Sequence, residues 1–167
     1  MGEVVALENG RVRVEVDAHT GTIKALHDLH SGHAVQARQS FMSYTSPRSG
    51  AYLFRPHGTP ADLSPGPGDE LALAVTQGRL VSRVYARWGD LEQEVRLEAG
   101  AAHAVVRAWV HARPDREVAL RLDTDLETDG SFFTDNGVRL LRRTHVPGTV
   151  PRNFYPMVTA FAAHERG

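Results

Sequence analysis

The chain is 167 residues long, 41% hydrophobic and 23% charged, which suits one packed domain or a piece of a larger one and argues against general disorder. Nineteen basic and 20 acidic side chains leave a net charge of −1, so the basic excess of a nucleic-acid or anionic-membrane binder is missing. The chain has no cysteines, which excludes a disulfide framework, a thiolate zinc site and a cysteine nucleophile.

No apolar run nears the roughly 20 residues of a membrane-spanning helix. Met1-Gly2-Glu3-Val4-Val5 lacks the charged-then-apolar order of a signal peptide. The periodicity is that of strands. Arg11-Val12-Arg13-Val14-Glu15-Val16 alternates polar and apolar residues, turn formers follow at 17–21, and Thr22-Ile23-Lys24-Ala25-Leu26 resumes the alternation. This predicts a hairpin over 11–27, with a second turn at Ser31-Gly32. Residues 35–46 read as a strand, and Ala51-Tyr52-Leu53-Phe54 as a short aromatic one. Between 56 and 69 the chain holds four prolines and three glycines, which predicts a long exposed loop between strands. Leu71–Val75, Leu80–Trp88, Leu91–Leu97, His103–His111 and Glu117–Asp123 are further strands. Glu92, Gln93 and Glu94 favour helix locally, but Leu91, Gln93, Val95 and Leu97 share one face of a strand. Phe132-Phe133-Thr134 and Val138–Leu141 flank Asp135-Asn136-Gly137, whose Asn-Gly pair suits a two-residue primed turn. Phe154–Ala163 reads as the last strand. No helix and no internal repeat emerges, so the fold class is all-β, an antiparallel β-sandwich.

Four constellations have residue types suited to chemistry. His27, His30 and His33 recur every third residue, but they straddle a turn broken by Gly32, so solvated turn histidines are favoured over a metal site. Asp123, Asp125, Glu127 and Asp129 would line one face of a continuous strand, as paired carboxylates of a glycosidase must. Gly130 follows at once, and a wet strand end is the plainer reading. Arg139, Arg142 and Arg143 either grip sugar hydroxyls or carboxylates, or form a solvated face. Tyr44, Tyr52, Phe54, Phe154 and Tyr155 are either core or sugar-stacking rings, with core the default.

Taken in order, several segments resemble a known family. Leu7-Glu8-Asn9-Gly10, Val12–Asp17 and Thr20-Gly21-Thr22-Ile23 resemble the opening of the C-terminal β domain of family 38 glycoside hydrolases, the α-mannosidases. Gln39–Tyr44 is similar to the strand leading to that family's most distinctive motif, and Ser49-Gly50-Ala51-Tyr52-Leu53-Phe54-Arg55-Pro56 matches the motif in full. Gly78–Ser82, Arg121–Thr124, Phe132–Gly137, Arg142-Arg143 and Asn153–Met157 follow in order. The set looks closest to the lysosomal-type branch.

The resemblance implies an incomplete sandwich of the mutarotase-like supersandwich type over residues 1–167, with the Pro/Gly-rich loop at 56–69. It implies a parent enzyme that hydrolyses terminal α-mannose in glycans with retention. The nucleophile, the acid/base and a zinc ion would belong to a missing N-terminal catalytic domain, with no catalytic residue, metal ligand or cofactor in this chain. Tyr44 and one of Arg142 and Arg143 would contact sugar hydroxyls. The chain alone is expected to be catalytically silent and structural, to be prone to association through open sheet edges, and to belong to the lysosomal or secretory pathway. A carbohydrate-binding or scaffolding module and a sugar epimerase on the same fold stay open as alternatives.

Overall fold

The computed structural model describes residues 3–50, 53–66, 68–111 and 113–165. Thirteen strands are present among them: β1 (Val4–Glu8), β2 (Val12–Asp17), β3 (Ile23–Asp28), β4 (Ala34–Thr45), β5 (His57–Asp62), β6 (Ala72–Gln77), β7 (Val81–Trp88), β8 (Leu91–Glu98), β9 (Val105–Val110), β10 (Arg116–Thr124), β11 (Ser131–Asp135), β12 (Leu140–Thr144) and β13 (Phe161–Ala162). A single 3₁₀ turn at Val150–Asn153 is the helical element among the described residues. The all-β expectation holds, and every pairing with a resolved register is antiparallel.

The chain divides into two compact units. The first comprises Met1–Ser43, Ala61–Pro114 and Val118–Asp125, and the second Tyr44–Pro60, Asp115–Glu117 and Leu126–Gly167. In the first unit, the sheet ordered β1-β2-β3-β4-β10 faces the sheet ordered β6-β7-β8-β9. Period-two alternation sends Leu7, Val14, Val16, Ile23 and Ala37 of one sheet against Val84, Val95 and Leu97 of the other. A second cluster joins Phe41, Ala86, Trp88 and Leu91. Phe41 and Trp88 meet edge to face at 5.5 Å, and the Trp88 indole donates to the Leu63 carbonyl at 2.7 Å. Trp88→Phe keeps an aromatic ring, though a smaller one, and removes that donor. It is expected to cost about 1–2 kcal/mol in urea unfolding, because the carbonyl loses its partner inside the fold. No loss would mean that water replaces the indole.

The sandwich core is not wholly apolar. Gln93 of β8 is fully buried and exchanges hydrogen bonds with Gln39 of β4. The Gln93 amide also donates to the Gly21 carbonyl at 2.9 Å, and the Gln39 oxygen accepts from the Ile23 amide at 2.9 Å. The two glutamines therefore join the facing sheets across the core. Gly21 makes the approach feasible. Its φ is +68°, and a Cβ there would run into the Ala86 Cβ. Outside the core, Glu94 sits between Arg83 and Arg107 at 3.4 and 3.3 Å.

Five local expectations are corrected. The sequence reading assigned no strand before residue 11, yet β1 pairs with β2, because Val4–Leu7 is an apolar run without alternation. Of 51–54, residues 51 and 52 lie outside the described residues, and Leu53 forms only an isolated bridge with Gly50. The 56–69 stretch is not all loop. His57–Asp62 is β5, which pairs with β4, and a strand with one partner tolerates Pro60 because its other edge needs no donor. The connection after β11 is not a two-residue primed turn. Asp135 pairs with Leu140, so four residues intervene, and the Asn136 side chain accepts from the amides of Val138 and Arg139 instead of turning to positive φ. The last strand shrinks to Phe161–Ala162. Pro151 and Pro156 remove ladder donors, and the Asn153 side chain bonds the backbone of Val146 and Thr149.

Candidate functional site

The second unit is built on the sheet ordered β12-β11-β13. Phe132 of β11 lies opposite Arg143 of β12, and Phe133 lies opposite Arg142. Alternation along a strand therefore puts Arg142 and Arg143 on opposite faces. Arg143 shares its face with Phe132 and Thr134. Its guanidinium carbon lies 4.6 Å from the centre of the Tyr155 ring, and its Nε donates to the Thr134 hydroxyl at 3.1 Å. Stacking holds the plane of the fork while leaving its edge open. Among the described residues, no acceptor takes the terminal N–H groups of Arg143.

The nearby rings form two groups, whose members Phe154 and Tyr155 are adjacent in sequence. Phe132 meets Tyr155 at 5.6 Å and Phe161 at 5.5 Å. Phe154, next to Tyr155 in sequence, lies 5.9 Å from Phe54, which lies 5.2 Å from Tyr44. Tyr44 is half-buried, like Arg143 and Tyr155, whereas Phe154 is exposed. Tyr44, Phe54 and Phe154 thus pack in a row while keeping access to solvent, and Tyr155 packs with Phe132 and Arg143. Tyr52 lies outside the described residues.

Arg142 is occupied differently. It is exposed and donates to the Asp129 carboxylate at 3.0 Å and to the Ser131 hydroxyl at 3.3 Å. The Ser131 hydroxyl and amide, with Arg142 beside them, hold the Asp129 carboxyl below its ordinary value. Arg139 stands exposed in the loop before β12.

The row of carboxylates does not form. Strand β10 ends at Thr124, so the alternation that would align Asp123, Asp125, Glu127 and Asp129 stops after the first of them. Asp123 is bound by Arg121, and Asp125 accepts from the Gln36 amide at 2.9 Å. The three histidines are spread around the turn after β3. His27 Nε2 lies 3.3 Å from a Glu15 oxygen, while His30 and His33 are exposed. Asp28 organises that turn by accepting from the amides of His30 and Ser31 and from the Ser31 hydroxyl. Among the described residues, no group of three or more His, Asp or Glu side chains could hold a metal ion together.

Sequence reasoning missed Asp135. One of its oxygens accepts from the amides of Val158, Thr159 and Ala160 at 2.9–3.0 Å, and the other from the Thr159 hydroxyl at 3.0 Å. The segment after Tyr155 is thereby tied to the end of β11. Its place ahead of Asn136-Gly137 marked it only as a turn residue, and a partner about two dozen residues away leaves no local signal.

A two-sheet antiparallel β-sandwich and a smaller three-stranded sheet bearing Arg143 and aromatic rings define an all-β chain. The chain belongs to the family described as the glycosyl hydrolases family 38 C-terminal domain, whose model matches residues 7–157. It is 29% identical to the lysosomal alpha-mannosidase of Mus musculus over 93% of this chain and 18% of that protein. It is 30% identical to the lysosomal alpha-mannosidase of Homo sapiens, over 93% and 17%, and 27% identical to the alpha-mannosidase of Canavalia ensiformis, over 93% and 18%. The chain therefore spans less than a fifth of the length of these relatives.

Proposed function

We propose that this chain serves as part of the β domain of a retaining α-mannosidase and contributes one wall of the cleft that binds a terminal mannose. Arg143 carries the reading. Its guanidinium is braced by the Tyr155 ring and the Thr134 hydroxyl, and its outer N–H groups remain available to sugar oxygens. Tyr44 supplies a second polar tip, on a ring packed edge to face against Phe54. Arg142 is the weaker candidate, since Asp129 and Ser131 already take its donors. Retaining hydrolysis uses two carboxylates about 5–5.5 Å apart. In this reading those groups, and a zinc ion, are supplied by a catalytic domain outside these 167 residues. Mannose-bearing glycans and that catalytic domain are then the partners, and the names of the relatives support a lysosomal or secretory setting.

The test is made on the intact protein captured from its source, whose mass is expected to be several times that of this chain. There, Arg143→Ala is expected to lower kcat/KM for an aryl α-mannoside by about tenfold to a hundredfold, the range for losing a hydrogen bond from a charged group. Arg142→Ala is expected to change it less than about threefold. The chain by itself should release no mannose. A larger loss at Arg142 than at Arg143, or hydrolysis by the chain alone, would overturn the reading.

A further inference from the structure

Away from the Arg143 patch, the same unit holds a cavity of about 380 Å³ lined by Pro47, Arg48, Arg55, Pro56 and His57. The segment that forms it is held by local hydrogen bonds and by one bond to Asp115. Gly50 and Leu53 exchange hydrogen bonds at 3.1 and 3.2 Å, the Arg55 amide donates to the Ser49 hydroxyl at 2.8 Å, and the Ser46 amide donates to the Asp115 carbonyl at 2.9 Å. These bonds bring Arg48 and Arg55, on the two arms of the loop, to one opening. Pro47 and Pro56 stiffen those arms, since each has its φ locked by the ring.

Two guanidinium groups lining one cavity repel one another unless something answers them. None of the lining residues is acidic. Among the described residues, the side chains of Arg48, Arg55 and His57 make neither an ion pair nor a hydrogen bond. Some exposed arginines elsewhere find carboxylates, as Arg142 finds Asp129 and Arg121 finds Asp123, while others such as Arg139 and Arg152 stand exposed like these two. Two planar forks lining one cavity suit an oxyanion, which can accept bidentate pairs from guanidinium groups. The cavity falls in the range of roughly 300–1,000 Å³ typical of small-molecule sites and exceeds what a bare oxyanion fills.

We infer that this cavity is a binding site for a phosphate or sulfate monoester carried on a small polar molecule, with Arg48 and Arg55 gripping the oxyanion and His57 donating beside them. The site is separate in its residues from the sugar contact assigned to Tyr44 and Arg143, so either can fail without the other.

The experiment is calorimetric titration of the full chain with glucose 6-phosphate, inorganic phosphate and glucose. Glucose 6-phosphate is expected to saturate one site, and glucose to give no heat. Inorganic phosphate binding at least about tenfold more weakly assigns the remaining volume to the carrier, while equal binding of inorganic phosphate overturns the monoester assignment. Arg48→Gln and Arg55→Gln are each expected to weaken binding by about tenfold or more. Both residues are exposed, so an unchanged far-ultraviolet spectrum serves as the folding control. Arg55→Lys keeps the charge and loses the fork, and is expected to fall between wild type and Arg55→Gln. No saturable binding, or binding unchanged in the double Gln variant, overturns the assignment.

Discussion

Replacing Asp135 by asparagine is expected to release the segment at 158–160 and to flatten the acid limb of the stability curve. The native carboxylate takes three backbone amides on one oxygen and the Thr159 hydroxyl on the other, with the Gly137 amide at 3.3 Å. The amides of Ala160 and Thr159 first, then the Thr159 hydroxyl and the Val158 amide, hold the carboxyl far below the usual aspartate range against the opposing effect of burial. The sign follows from linkage. A carboxyl whose folded pKa is depressed contributes stability that is fully present above the unfolded value near 3.8 and is lost as pH falls from there toward the folded value. Asparagine cannot carry the charge, and it turns an NH₂ group toward the Gly137 amide, which also needs an acceptor. Amide exchange at Val158, Thr159 and Ala160 is expected to accelerate at least about tenfold. Stability of the variant should fall less steeply than wild type as pH drops below about 4. Parallel acid limbs in the two proteins would show that the carboxylate's charge is not what holds the segment.

Gln93→Leu is expected to destabilise the sandwich by about 2–4 kcal/mol although it adds apolar volume to a core position. Gln93 is fully buried, so no water reaches the groups it leaves. The Gly21 carbonyl loses its donor, and the Gln39 amide loses its acceptor. A buried polar group stripped of its partner costs its desolvation, which outweighs the gain from a leucine side chain. Gln39→Leu made together with Gln93→Leu should cost less than the sum of the two, because each single change leaves the other amide orphaned. Urea unfolding with an unchanged m-value measures both. An additive cycle would mean that the two amides do not share a bond in solution.

Much of the fold was legible because strand alternation is a local property. The hairpin at 11–27 and strands β4 and β6–β10 follow from side chains pointing alternately to two faces, and Leu91–Leu97 was assigned to a strand on that ground against its helix-favouring glutamates. Where a strand is neither alternating nor rich in β-branched residues, the signal fails. β5 reads His-Gly-Thr-Pro-Ala-Asp, and only its pairing to β4 makes it a strand. The opposite error occurred after residue 153, where aromatic and β-branched residues suggested a strand. Pro156 and the Asp135 carboxylate direct that backbone elsewhere.

The candidate site divides the same way. Residue order alone carried the family and pointed to Tyr44 and to an arginine at 142 or 143, because a motif is a property of the order of residues. What separates the two arginines is the register of β11 with β12, which sends them to opposite faces, and the Tyr155 ring against which Arg143 lies. The glutamine bridge joins residues 54 apart in sequence, and the Asp135 clamp joins residues as much as 25 apart. By itself the sequence determined the strand class, the balance of charge and the lineage, all of which follow from nearest neighbours and residue order. The tertiary structure alone decided which polar groups are buried together, which arginine stands against the rings and which cations share a cavity, because those relations exist only once distant segments are brought into contact.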